Sequence, residues 1–315
     1  MLQSKVQIIK EADFEMIRKF ATTPYWEEKY SDLFTEDFHL DLPFAPPGMW
    51  QNMSHQETMY YFRWMERTVS NPRYEEPVRA LATDHEDVYW VFRNFTADVK
   101  WAGKEGVFQS RMPALVRVKD GKIAYIKEHA DAAAYYKAIG IELPHFEYDA
   151  PDPSTITPRP AAPVIEHTPE SLQKQVDATL NFFINPSYWD PEVNCVLADD
   201  FIHELCDAPA DMPRVYRGTE YDAINEWLGK NMGDGGIYDC AFYNTSDPHI
   251  YVAEFNAYFD ITWGGCKTGG HYSNREISYI EINDQGLGTR LDEYFCTTSK
   301  FNSIGVSIPT FPQLF

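Results

Sequence analysis

The alternation of apolar and polar positions is cleanest from Lys122 to Ala130, where Ile123, Tyr125, Lys127 and His129 fall on one face and Ala124, Ile126, Glu128 and Ala130 on the other. Period two predicts a strand, and Glu128 is the only charge on its apolar face. A second strand precedes it from Phe108, joined by a turn at Asp120-Gly121, and an Ile139-Gly140 stop follows. The same order returns from Tyr272. Arg111 matches Arg275, Asp120 matches Asp284, Glu128 matches Glu293, and Pro144 matches Pro309, at an offset of 164 drifting to 165. Upstream, the strand-like alternation of Tyr89 to Trp101 recurs in Tyr251 to Ile261, with Asn94 and Asp98 matching Asn256 and Asp260 on its polar face.

The helical stretches repeat as well. Apolar positions at Ile8, Ile9, Phe14, Ile17 and Phe20 predict a first helix, broken at Pro24-Tyr25-Trp26, and Thr35 to Leu42 alternates like a strand. Tyr188-Trp189 matches Tyr25-Trp26. Ser54-His55-Gln56-Glu57 has the spacing of a capping box and predicts a helix running to Val69, with a counterpart beginning at Thr219 to Asp222. Trp64 and Trp227 lie at matching positions on these two helices. Between the copies, residues 150–169 hold six prolines and no glycine, which predicts an extended, stiff spacer closing at the Thr168-Pro169 helix start. The reading is therefore two α+β domains, 1–149 and 170–315, joined by a linker.

Composition narrows the function. A net charge of -21, with no cluster of basic residues to offset it, argues against nucleic acid and anionic membranes as partners. The acidity is uneven: residues 1–150 hold 18 basic and 24 acidic side chains, residues 151–315 hold 9 and 24. Eight Trp, twenty Tyr and twenty Phe suit either dense cores or the walls of a pocket for a small hydrophobic or aromatic metabolite. All five cysteines lie in the second copy without a CxxC pair, and the amphipathic N-terminus is unlike a signal peptide. A cytoplasmic protein with reduced thiols is expected.

A carboxyl on an apolar face is raised toward the range where general acids and bases work, and Glu128 and Glu293 are the candidates. The alternative is a structural pairing of each glutamate with a buried arginine, Arg111 or Arg275. His39 and His203 each stand beside a strand acid, Asp41 or Glu204, and His129 follows Glu128 directly. No metal-ligand spacing occurs, and Gly233 to Gly236 reads as an inserted loop without the lysine of a phosphate loop. Chemistry without a metal or organic cofactor is the expectation.

The element order resembles the cone-shaped α+β barrels of the nuclear transport factor two-like superfamily, a curved antiparallel sheet wrapped on helices. Within it, Gly106-Val107-Phe108, Lys119-Asp120-Gly121, Lys127-Glu128-His129 and Ala138-Ile139-Gly140-Ile141 with Pro144 resemble the phenazine-biosynthesis A/B family, with the SnoaL-like cyclases as wider kin. The resemblance implies a cofactor-free acid/base enzyme of natural-product biosynthesis that cyclises, condenses, isomerises or dehydrates a small carbonyl or imine intermediate. It also implies tandem barrels packed sheet to sheet as a pseudo-dimer, monomeric overall. The family's glutamate corresponds to Glu128 and Glu293. Its histidine has no counterpart, since Arg63 or Trp64 and Glu226 or Trp227 stand there.

On this reading Glu128, His39 and Glu293 are catalytic. Tyr60, Tyr61, Trp64, Asp98, Trp101, Arg111, His129, His203, Trp227, Asp260 and Arg275 bind substrate. The family-like surroundings of Glu128 favour the first copy as the working pocket. The rival is a non-catalytic binding or assembly protein.

Overall fold

The computed structural model describes residues 11–184, 196–263 and 269–312. The matched pair Tyr188-Trp189 and the start of the first helix lie outside them. The chain forms two compact units, each α+β. Of the described residues, one unit holds 11–143 together with 308–312, and the other holds those between Pro144 and Ser307.

In the first unit, α1 (Glu11–Thr22) precedes β1 (Phe34–Asp41), α2 (His55–Thr68), β2 (Val69–Ala82), β3 (Val88–Trp101), β4 (Lys104–Arg111), β5 (Ala114–Lys119), β6 (Lys122–Glu128) and α3 (Ala132–Ala138). The second unit repeats the plan as α4 (Pro169–Ile184), β7 (Leu197–Leu205), β8 (Val215–Arg217), α5 (Thr219–Asn231), β9 (Met232–Asn244), β10 (Ile250–Ile261), β11 (Gly270–Ile282), β12 (Gly288–Phe295) and α6 (Thr297–Ser303). Each unit has a six-stranded sheet. Both sheets are mixed rather than antiparallel throughout, because β1 pairs β6 and β7 pairs β12 in parallel.

The predicted local devices form. Ser54 accepts from the Glu57 backbone while the Glu57 carboxylate accepts from the Ser54 backbone, so α2 begins with a capping box. Asp120 and Gly121 both take positive φ, 52° and 73°, which matches the twist of the β5–β6 hairpin. Gly140 and Gly305 (φ 69° and 75°) stop α3 and α6, with the Ile141 and Val306 amides donating to the Tyr136 and Phe301 carbonyls.

The repeat extends to a close backbone contact. A Cβ at Gly106 would stand 1.9 Å from the Ala138 carbonyl oxygen, and one at Gly270 would stand 1.9 Å from that of Ser303. In each unit only glycine lets the short helix seat its last turn on the sheet.

Two segments join units other than those the repeat boundaries suggest. Phe146 to Asp149 packs in the second unit, where the Trp227 indole donates to Asp149 at 2.6 Å and Phe146 lies edge-on to Phe301. The linker lies against the same unit rather than standing off as a spacer: Arg159 pairs with Asp222 at 3.0 Å and the Ala162 amide donates to Asp199. Fully buried Phe311 packs in the first unit against Trp101, Tyr135 and Tyr136. Gly233 to Gly236 is not a loop insertion but the start of β9.

Candidate functional site

Strand registers align the two units residue by residue. Ala114 opposite Glu128 corresponds to Ser278 opposite Glu293, and Leu40 opposite Ile126 corresponds to His203 opposite Leu291. Asn94 opposite Arg111 corresponds to Asn256 opposite Arg275, which sets Arg93 against Phe255. The same frame sets Phe108, Met112 and Tyr135 against Tyr272, Glu276 and Lys300.

These substitutions give the two glutamates different surroundings. In the first unit Glu128 is buried and both its oxygens are engaged: Arg93 forms a buried ion pair with Oε1, and the Tyr25 hydroxyl donates to Oε2 at 3.0 Å. The structural partner is thus Arg93 of β3, neither Arg111 nor Arg275. Arg93 also donates to the Phe20 carbonyl and lies over the Phe20 and Tyr25 rings. Burial and the Glu128 charge hold the Tyr25 hydroxyl well above the usual phenol range. The aromatics nearby form packed core: Trp64 stacks on Trp101 at 5.3 Å, and Trp101 stacks on Tyr135 at 5.4 Å. Tyr61 leans on Trp64.

In the second unit Phe255 replaces the arginine, and Glu293 turns to His203, whose Nε2 donates to Oε2 at 2.8 Å. His203 is fully buried against Tyr216 and Tyr221. Strand alternation on β11 puts Tyr272, Asn274, Glu276 and Ser278 on one face, and the register places Glu276 diagonally from Glu293. A cavity of about 60 Å³ opens there, with Glu276, Glu293 and Lys300 at its polar end and Trp227, Trp263 and Phe255 among its apolar walls. Trp227 stacks on Trp263 at 5.8 Å, and the Trp263 indole donates to Ser303.

Burial, with the neighbouring Glu293 charge adding to it, pushes the Glu276 carboxyl up to about 7, against a hydrogen bond from Tyr272 and the pull of Lys300. Burial pushes the Lys300 amine down, opposed by the charges of Glu276 and Glu293. Among the described residues no group of three or more His, Cys, Asp or Glu is placed to hold a metal ion.

Several expected site residues lie elsewhere. His39 is exposed and rests on Tyr125, because β1 turns Leu40 inward and the register gives His203 the inward place in the second unit. Tyr60 is 49% exposed on the outer side of α2. Asp98 bonds Asn71, and Asp260 bonds His271, on strand faces opposite the barrel interiors. Arg275 pairs with Glu254 on the outer face, and Arg111 alternates with the inward Ser110. His129 is buried between Phe44 and Trp90, on the face opposite Glu128.

The cavity therefore brings together Glu293 and Trp227, with His203 holding Glu293 from outside the lining, and adds Glu276, Tyr272 and Lys300, which sequence reasoning missed. The repeat carried a signal for them. Where the two copies diverge at inward positions from a residue without acidic or basic character at neutrality to a carboxyl or an amine, Met112 to Glu276 and Tyr135 to Lys300, a buried acid or base has been introduced.

No family model and no curated protein matches this chain. Solved structures resemble it at low identity. A phenazine biosynthesis-related protein from Pseudomonas aeruginosa is 18% identical, covering 47% of this chain and 92% of its own, with a TM-score of 0.39. A candidate polyketide cyclase from Xanthomonas campestris is 17% identical over 43% of this chain and 97% of its own, with a TM-score of 0.35. A protein with a ketosteroid isomerase-like fold from Catenulispora acidiphila, solved in complex with trimethylamine, is 13% identical over 41% and 94%, with a TM-score of 0.32. Each match spans nearly all of its own chain and under half of this one.

Proposed function

We propose that this chain is an acid/base enzyme acting in the second unit's cavity on a small carbonyl- or imine-containing molecule, by isomerisation, cyclisation, condensation or dehydration. The observation that carries the reading is a pair of carboxyls at one end of an apolar cavity with unlike partners. Glu293 is fixed by His203, and Glu276 is pushed up to about 7, so it retains a proton near neutrality. Environments that separate two neighbouring carboxyls assign one as acid and one as base. Glu293 removes the proton alpha to the carbonyl. Glu276, steadied by the Tyr272 hydroxyl, donates to the oxygen as negative charge develops there. The stacked pair Trp227 and Trp263 keeps water from the reacting end.

A cavity of about 60 Å³ is smaller than the ~150 Å³ that accommodates benzene, so it takes the reacting end of a substrate, a few atoms across, rather than a polycycle. A natural-product intermediate, the setting implied by the sequence resemblance, would offer such an end. Glu128 serves on this reading as half of a structural ion pair, which moves the chemistry from the first copy to the second.

The test is proton exchange. A panel of small ketones led by 2-butanone is incubated with protein in D2O and deuterium uptake alpha to the carbonyl is followed by NMR. Exchange above the buffer rate, falling by roughly 10²-fold in Glu293→Gln, is expected of a lost general base. Exchange at the buffer rate in the wild type, or equal rates in the two proteins, would leave the binding-protein reading in its place.

A further inference from the structure

Proton transfer between Glu293, Glu276 and substrate leaves one cavity group unused, the amine of Lys300. It is buried on α6, at the polar end of the cavity, over the rings of Phe295, Trp263 and Tyr272 at 4.5, 4.8 and 5.2 Å. Among the described residues no carboxylate oxygen stands within 4.0 Å of it.

Two plainer roles fit less well. If the side chain only filled space, the first unit shows what suffices: Tyr135 takes the corresponding place, packing on Trp101 at 5.4 Å. If it only partnered Glu293, it would duplicate the hydrogen bond of His203, already at 2.8 Å. A charged lysine is costly to desolvate without a tight ion pair, and an amine held in an apolar pocket is the usual form of a nucleophilic lysine.

We infer that Lys300 forms an imine with the carbonyl carbon of the substrate, bound in the cavity with its oxygen toward Glu276. The inference rests on the cavity being the acid/base site proposed above and names the substrate class as an aldehyde or ketone. The neutral amine attacks the carbonyl carbon. A C–N bond forms, the carbonyl π pair moves to oxygen, and that oxygen takes the proton of Glu276. The nitrogen's surplus proton passes to Glu293, leaving a neutral carbinolamine. Its hydroxyl takes a proton back from Glu293 and leaves as water while the nitrogen lone pair closes the C=N bond. The resulting iminium gives its nitrogen proton to Glu276. Both carboxyls end as they began, and the sum is carbonyl plus amine to imine plus water, with no oxidant or reductant. The imine, protonated, is a stronger electron sink than the carbonyl for removal of the adjacent proton by Glu293.

Trapping tests this. Wild-type protein is incubated with 2-butanone at pH 7, reduced with sodium borohydride, digested and mapped by mass spectrometry. Lys174 and Lys230, whose side chains are 76% and 63% exposed, serve as internal standards. The expected result is a sec-butyl group on Lys300 appearing at least roughly tenfold faster than on either standard, since the cavity holds the carbonyl beside this amine and beside neither of the others. Lys300→Arg removes that signal, and Glu276→Gln, which keeps the amine, slows it.

The wild-type map decides the matter even if the arginine variant does not fold. Modification of Lys300 no faster than of Lys174 and Lys230 overturns the inference. If butanone still exchanges its alpha protons in a Glu293-dependent way, the acid/base reading stands without the imine; if exchange is also at the buffer rate, both fall.

Discussion

Replacing Glu276 by glutamine should change how the second unit's stability depends on pH. The carboxyl titrates near 7 in the fold and near 4.5 in the unfolded chain, so between these values the folded state holds the extra proton. Stability from this group is complete below about 4.5 and is lost as pH rises through 7. The interval of about 2.5 in pH corresponds at most to about 3 kcal/mol, at 1.36 kcal/mol for each factor of ten. Contact with the cavity and sharing of charge with Lys300 reduce that to about 1–2 kcal/mol.

Glutamine keeps an acceptor for the Tyr272 hydroxyl and does not ionise. Near pH 5 the variant and the wild type should be similar. By pH 8 the variant should be the more stable by about 1–2 kcal/mol, equivalent to roughly 2–8 °C in melting temperature for a unit of this size. Hydrogen exchange of peptides from β11 and β12 under partly denaturing conditions reads this unit alone, and comparing the two proteins at equal pH cancels the intrinsic exchange rate. A difference constant from pH 5 to 8, or one moving toward the wild type, would refute the account of Glu276.

In the first unit, Arg93→Met strands the Glu128 carboxylate in the core and should cost about 3–5 kcal/mol, measured by hydrogen exchange of β3 and β6 peptides. Gly270→Ala drives a methyl into the Ser303 carbonyl and should destabilise by about 1–3 kcal/mol, with α6 peptides losing protection first. Phe311→Ala, removing a fully buried ring, should cost about 3–5 kcal/mol in the first unit and leave β11 and β12 protection unchanged, although residue 311 follows the second copy in sequence.

Much of the architecture was legible because the chain states it twice. Period-two alternation located β3, β6 and β10, and the capping box and Ile-Gly stops fixed helix ends whose geometry depends on a few side chains. Strands β2 and β9 were missed because their faces are mostly solvated, as in Ser-Asn-Pro-Arg-Tyr-Glu-Glu and Gly-Asp-Gly-Gly, and carry no alternation.

The inward glutamates were also legible, since one charge on an apolar face needs a reason. Their partners were not. Arg93 alternates with Asn94 and so falls on the apolar face of its own strand, but only the sheet order β6-β5-β3 shows it reaching Glu128. His39 and His203 looked equivalent from neighbouring acids, yet a difference of one residue in strand register sends one to solvent and the other to Glu293.

The central claim is that one of the two repeated glutamates works and the other only holds strands together. Glu293→Gln and Glu128→Gln, each keeping side-chain shape, are compared by alpha-proton exchange of 2-butanone at the same pH, after hydrogen exchange shows both proteins folded. The account predicts a loss of roughly 10²-fold for Glu293→Gln, and for Glu128→Gln a lower stability with exchange close to wild type. The reverse ranking, or equal losses in both, would contradict it.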